Sequence, residues 1–468
     1  MKKQLLKWSG LLTASLALGT LNAADYYISP AGDDGNDGTL EKPFQSFAKA
    51  VTNLKPGDTL YLRAGSYNEP LKLQGLNGDV ESPIRFVAYN NEKVVFDGTQ
   101  PIDGDWVEGQ KGVFHTKISF PIWQLFTGER PLDLARWPNA SINDGSVWDV
   151  ETAMRGTDRN WSHKLGKSDS VTQPGVIFDE NHDDVEEGVN SQTLAETGID
   201  FTGAVAVLNV GHWLTWARPI LEHEAGSNQF TYNPKGMRML KFMEYYIFGL
   251  QALDAEFEWW FDAKNSTVYV KPPKGKSAAG LKLQGKARDF NLLAENCSYL
   301  TFSGIDFFAT TFGFKNSNNM LVEDAQLLYP STHKFMLGEF GWVSPKPPKG
   351  NANTMTYIYN EGDGPFNNVV RDSSIEYPNT PAISINSPGS TIENCSIHNI
   401  EWDVNSSGGS GSLPGGHYTT VRNCTIHTTG GSEGVRLGSN STIEGNRIFN
   451  TSLLQHDGSA INIGTSSQ

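Results

Sequence analysis

Cysteine is nearly absent: three residues in 468, Cys297, Cys395 and Cys424. An odd set at these spacings offers neither a disulfide framework nor a CxxC zinc site. Basic residues are also in deficit. Lys and Arg total 37 against 52 Asp and Glu, so the formal net charge is −15 and the pI about 5.1. Such a chain does not hold nucleic-acid phosphates non-specifically. A local cluster of arginine or lysine can still take an anionic substrate. Beyond the N-terminus no run approaches about 18 apolar residues, so no membrane span is expected. No P-loop follows a strand, and HExxH is missing. A 3.6-residue apolar period is missing too, which argues against a helical solenoid.

What is present begins with an export signal. Lys2 and Lys3 form a basic start, residues 11–18 a short apolar core, and Ala23 or Ala24 a small residue for cleavage. Two leading lysines fit a bacterial chain sent to the periplasm or the medium. Forty-eight glycines indicate many turns, and 38 % hydrophobic content allows a packed core.

The informative feature is a repeated phrase. TIENCSIHNI (391–400) returns as TVRNCTIHTT (420–429) and as TIEGNRIFNT (442–451). Looser copies are TFSGIDF (301–307), LVEDAQL (321–327) and VVRDSSI (369–375). Alignment gives one apolar column, Phe302, Val322, Val370, Ile392, Val421 and Ile443. A second runs through Phe307, Leu327, Ile375, Ile397, Ile426 and Ile448. Between them lies a mostly small or polar column: Ile305, Ala325, Ser373, Cys395, Cys424 and Asn446. Alternation at these spacings predicts coils of short strands that bury their inner faces only by stacking. Cys395 and Cys424 then form a buried stack of thiols. AISIN (382–386), GVRLG (434–438) and AINIG (460–464) add a further strand to each coil. The long gap between Val322 and Val370 holds either an extra coil or an excursion, and its KPPKGNANT segment (346–354) favours the excursion.

SFAKAVTNLKPGDTLYL (46–62) reads as a short amphipathic helix, a Pro-Gly stop and a strand, the helix covering the open end of the first coil. From 101 to 285 the period is lost, and nine of the twelve tryptophans fall there. This stretch is expected to be a β-rich insertion. The chain stops at Gln468 directly after AINIG with no capping segment, so further coils are expected beyond it.

YYISPAGDDGNDGTLEKPFQSFAKAV (26–51) and LKPGDTLYLRAGSYNE (54–69) resemble the opening of right-handed parallel β-helix proteins of the pectate-lyase-like superfamily. ARWPNA (135–140) and EWWFDAKNSTVYVKPP (258–273) are similar to the inserted region of β-helix glycoside hydrolases of the fucosidase and xylosidase type. The resemblance implies an all-β fold: a right-handed parallel β-helix with an N-terminal α-helical cap and a β-rich insertion subdomain. The expected organisation is a signal peptide at 1–23, cap and first coils at 24–100, insertion at 101–285 and main coils at 286–468. The implied activity is a secreted glycoside hydrolase acting, as a monomer, on a plant or algal polysaccharide or its oligosaccharides. GGSEGVRLG (430–438) resembles the Glu-x-Ile-Arg-x-Gly signature of β-helix alginate and chondroitin lyases, with Glu433 and Arg436 at the matching positions. Those lyases use a lysine and an arginine on neighbouring coils, usually beside calcium. Here the next coil, LLQHDGSAINIGTSS (453–467), carries no lysine. A uronate-polymer lyase is therefore the alternative reading, and a non-catalytic glycan-binding β-helix a third.

Glycosidic hydrolysis needs two carboxyl groups about 5 to 9.5 Å apart, and coils that repeat every ~4.8 Å supply such spacings. Aligning GVRLG with AINIG sets Asp457 and Glu433 one coil and two residues apart, a Cα separation on the order of 8 Å. They are the first candidates for acid and base or nucleophile. Glu433 shares the parity of Val435 and Leu437, which would turn it inward unless Gly434 breaks the alternation. Glu401 or Asp403 can replace either partner, with Trp402 as a plane for a sugar ring. His398 and His427 share an outward column and are candidate proton carriers, His427 foremost. His456 and Arg436 are candidate substrate contacts. In the insertion Arg136, Trp137, His212, Trp213 and Trp216 can wall a subsite, although an aromatic subdomain also needs a core. No cofactor is required. GDDGNDG (32–38) can hold a structural calcium, but Phe44 stands where an EF-hand has its bidentate Glu, and a plain turn is favoured.

Overall fold

The computed structural model describes residues 23–156, 174–179, 192–211, 213–237, 244–344, 346–350, 352–404, 412–431 and 433–463. The expected export signal and His212 lie outside the described residues.

Parallel strands stack into a coil with three walls. The first wall has nine strands, from Asp25–Ile28 to Thr442–Glu444. Its interior file runs Tyr26, Leu60, Phe86, Phe302, Val322, Val370, Ile392, Val421, Ile443, each in register with the next. The second wall stacks Tyr67, Phe96, Phe307, Leu327, Ile375, Ile397, Ile426 and Ile448. Both predicted columns are thus files of one core. Each fully buried Leu, Ile or Phe in them contributes about 1.5–3 kcal/mol. The third wall stacks Leu73, Ala294, Phe314, Ile358 and Ile385. A single bridge from Ile385 to Gly415 links it to the strands Leu413–Pro414, Glu433–Leu437 and Ser459–Ile463.

The corner between the first two walls explains the small-residue column. The residue before each member is left-handed: Gly304, Asp324, Asp372, Asn394, Asn423 and Gly445 have φ between 51° and 71°. Gly, Asn and Asp adopt that conformation at least cost. The turned N–H is then capped by the side chain one coil on. Ala325 N donates to Ser373 Oγ (3.1 Å) and Cys424 N to Asn446 Oδ1 (2.8 Å). Cys395 N donates to Cys424 Sγ (3.5 Å), and both thiols are free and buried. Leu327 and Ile375 are adjacent rungs, so the long gap is an excursion within one coil.

A short helix, Phe47–Ala50, packs Phe47 on Tyr67 and Phe96, the first two rungs of the second file. The strand Ile84–Ala88 pairs directly with Leu300–Ser303. The intervening chain leaves and returns through the antiparallel pair Thr99–Pro101 and Leu283–Lys286. Between them it forms mostly antiparallel sheets around an aromatic core that includes Trp137, Phe201, Trp216, Phe230, Tyr232 and Tyr245. This unit packs on the coil through Val205, Val207, Tyr246 and Phe248 against Phe335, Val404 and Leu454.

Candidate active site

Three coils meet the inserted unit where the second wall gives way to the third. The strand Ser396–Ile400 ends on the pair Ile400–Thr429. Glu401 follows in a left-handed conformation, φ 59°, with its N–H bound to Pro378 O (2.9 Å). Its side chain runs beneath the next coil, where a Cβ on Gly431 would collide with Glu401 Oε2. A Cβ on Gly430 would collide with Glu401 O. The glycine pair therefore makes room for a carboxylate.

Glu433 opens the strand Glu433–Leu437, opposite Ser459 of the next coil. A Cβ on Gly434 would meet Ile448 Cγ2 and Thr451 Cγ2, each at 3.0 Å, so the inward position at this point belongs to Gly434. Alternation breaks there, and Glu433 turns to the outer side. Its Oε1 accepts a hydrogen bond from Asn462 Nδ2 at 2.9 Å.

Glu401 and Glu433 are 2 % and 6 % exposed. Burial, and then the charge of Glu433, push the Glu401 carboxyl up to about 8. Near neutral pH it keeps its proton, as a group that serves as an acid must.

Asp403 faces the other side of the same turn. Its N–H donates to Asn379 Oδ1 (2.9 Å), and Asn379 Nδ2 donates to Asp403 Oδ2 (2.6 Å). Burial lifts its carboxyl to about 6, against the opposing pull of Arg136 and Asn379. It lines a cavity of about 30 Å³ with Trp123, Trp259, Trp402, Arg136 and Asp133. That volume suits one or two waters, not a sugar. Trp123 Nε1, Gln124 Oε1 and Trp259 Nε1 line it without hydrogen-bond partners, as groups that meet water would.

Several sequence candidates are packed rather than presented. Arg136 is 3 % exposed; its guanidinium donates to the carbonyls of Pro138 and Ala153 and lies over the Tyr246 ring (4.5 Å). Trp137 is 5 % exposed, against Phe201 and Tyr245 in the inserted core. Trp402 is buried with Phe126, Phe308 and Tyr329. The faces of all three are covered by protein in this structure. Trp213 is half-buried in the turn 211–214, its N–H on Gly211 O (2.9 Å). Buried Trp216 packs at 5.9 Å from Trp342.

His398 and His427 do share a column, flanked in register by Glu376 and Phe449. The two imidazoles stack at 4.9 Å and 6°, and His427 stacks on Phe449 at 4.8 Å. Each Nδ1 bonds the side chain of the following residue, Asn399 or Thr428. This ladder uses its ring faces internally, which favours a structural part for both. Arg436 is half-buried and registers with Asn462. Asp457 is exposed on the turn before Ser459. His456, beside it, is 2.6 Å from Glu244 Oε1 of the inserted unit.

Among the described residues no group of three or more His, Cys, Asp or Glu is arranged to hold a metal. In GDDGNDG the acids cap backbone: Asp33 accepts from Gly35 N (2.7 Å) and Asp34 from Gln45 N (3.0 Å) and Ser46 N (2.8 Å). Three residues of the site escape a reading of the sequence: Glu244, Asn379 and Asn462. Glu244 sits in FMEYYIF, where nothing but tertiary contact marks it. Asn462 lies in the AINIG strand, and its outward parity is the available signal.

Parallel walls stacked in register make this chain a parallel β-helix protein. Family descriptions agree and supply the hand. "Pel9A-like, right handed beta helix region" matches residues 26–125, and "Right handed beta helix region" matches residues 349–468. The chain is 34 % identical over 111 residues to Pectate lyase PEL9 of Emericella nidulans, covering 22 % of this chain and 27 % of that protein. It is 29 % identical over 112 residues to Pectate lyase L of Dickeya dadantii, covering 22 % and 26 %. These matches thus span about a quarter of each relative's length. A solved structure titled "Glycoside hydrolase" covers 93 % of this chain and 99 % of its own at TM-score 0.48 and 13 % identity. No helix among the described residues is long and apolar enough to cross a membrane.

Proposed function

We propose that this is an exported, carbohydrate-active enzyme that hydrolyses glycosidic bonds in a plant or algal polysaccharide or its fragments. The observation that carries the reading is the Glu401–Glu433 pair. A buried carboxyl group, pushed up to about 8, feels the charge of a second one on the adjacent coil, and glycosidic cleavage uses two such carboxyl groups. Glu401 gives its proton to the leaving oxygen as the anomeric C–O bond breaks. Glu433 accepts the proton of the attacking water, whose oxygen bonds to the anomeric carbon. Asp457 and Arg436, at the outer rim, contact substrate hydroxyl or carboxylate groups. This chemistry needs no metal.

The test is release of reducing ends from a panel of plant and algal polysaccharides by wild type, E401Q and E433Q. Each variant should lose at least about 10²-fold in rate. Full activity in both would remove the pair from the mechanism. A uronate lyase is the second reading, favoured by the pectate lyase names of the matched relatives and by Arg436 beside Glu433. It would give an unsaturated product absorbing in the ultraviolet, which hydrolysis does not. A non-catalytic glycan-binding coil would give neither product.

A further inference from the structure

We infer that the inserted unit completes this site: Glu244 is a positioning residue that orients His456, and His456 carries away the proton that turnover leaves on Glu433. The inference rests on the hydrolytic reading above.

The geometry is that of an orienting acid and an oriented base. His456 Nε2 and Glu244 Oε1 are 2.6 Å apart. The Glu244 side chain keeps 11 % of its surface, the imidazole 28 %. The acid is thus buried behind a ring that reaches solvent. Its second oxygen accepts from Asn209 Nδ2 at 2.9 Å, so the carboxylate is itself held. A carboxylate fixed from behind sets the orientation and tautomer of its imidazole.

The turn that carries the ring also follows the Glu433 coil directly. Leu453 N donates to Thr429 O (2.8 Å), and Ser459 pairs with Glu433. The turn bearing His456 therefore lies on the coil directly following the Gly430–Glu433 segment. Leu454 Cδ1 comes within 2.9 Å of a Cβ built on Gly430. Charged groups on the elements packed against this turn are Glu244 from the insertion, Asp457 on the turn itself, and Glu433 and Arg436 on the preceding coil.

A purely structural stitch does not need this pair. Asn209 Nδ2 already donates to Leu454 O (3.1 Å), and Gln455 Nε2 to Thr215 Oγ1 (2.9 Å). Those neutral bonds join the inserted unit to the same turn. In turnover the proton of water passes to Glu433, from there to His456 and on to solvent, while solvent returns a proton to Glu401. The balance is one water added across one C–O bond.

The experiment uses the full chain and the panel polysaccharide with the highest wild-type reducing-end rate. H456A should lower kcat about 10²-fold with KM little changed, and added imidazole should restore part of the rate. E244Q should lower kcat less, with the same KM. In ¹⁵N-histidine spectra, wild type should show the His456 Nε2–H tautomer and E244A should lose it. An H456A enzyme at full rate, or one that imidazole does not rescue, overturns the proposal. A wild type inert on every glycan removes the hydrolytic reading and this role together. An active wild type with an indifferent H456A removes this role alone.

Discussion

The carboxyl group of Glu401 occupies the space that a side chain on Gly431 would need. Gly431 is not among the glycines with positive φ. Its backbone therefore tolerates other residues, and the requirement for glycine there is steric. G431A should push Glu401 aside and reduce turnover by about 10²-fold, comparable to losing the acid. The melting temperature should move little, because no strand pairing depends on the position. Steady-state kinetics beside calorimetry checks this, and an active G431A would separate Glu401 from catalysis.

Glu401 should also make the fold less stable as pH rises. Its carboxyl is held at about 8 in the fold, against an ordinary value of 4.5. Between these values the unfolded chain binds fewer protons than the native one, so stability falls with increasing pH. The loss begins above about 4.5 and is complete above about 8. E401Q should flatten that part of the stability curve, measured by denaturant unfolding across pH. The same proton predicts an alkaline limb in the rate as Glu401 ionises.

The imidazole ladder should act in the opposite direction. Burial, His398 and Arg447 hold His427 below its ordinary value of 6.5. Below that pH the unfolded chain takes up the proton first, so stability is lost as pH falls. H427F keeps the stack on Phe449 and should relieve the acid sensitivity. Hydrogen exchange in the strand Thr425–Thr429 at pH 5 and pH 7 would reveal the difference.

The thiol stack should be inert in the native state. Cys297, Cys395 and Cys424 are free and buried; within the stack the Cys424 sulfur and burial raise the Cys395 thiol, and burial raises that of Cys297, which lies outside it. A thiol reagent should label none of the three until denaturant is added, and reductant should leave the melting temperature unchanged. Rapid native labelling would mean that the corner opens.

I392A tests the interior files. Ile392 is fully buried between Val370 and Val421. Truncation should cost about 2–5 kcal/mol, and a cost near zero would contradict close stacking of the rungs.

The fold is legible in the sequence because its cause is one-dimensional. A parallel coil repeats its inward residues at each turn, so Val370, Ile392, Val421 and Ile443 line up as a column in the amino-acid order alone. The left-handed corner writes Asn, Asp or Gly beside that column for a local steric reason. Glu433 is legible as a candidate, and so is the break at Gly434. The partner facing it is less clear. Strand alignment ranks Asp457 first and Glu401 as a substitute, because it places Cα atoms and cannot say that Gly431 leaves a channel for Glu401.

By itself the sequence determined the stacked files and the thiol pair, since each depends on neighbours at a fixed strand register. Only the tertiary structure decided that Arg136, Trp137 and Trp402 are packed, that Glu401 keeps its proton, and that Glu244 meets His456. Those outcomes depend on how the inserted unit settles on the coil. That docking buries particular faces and brings together residues more than 200 positions apart, a distance no local pattern records.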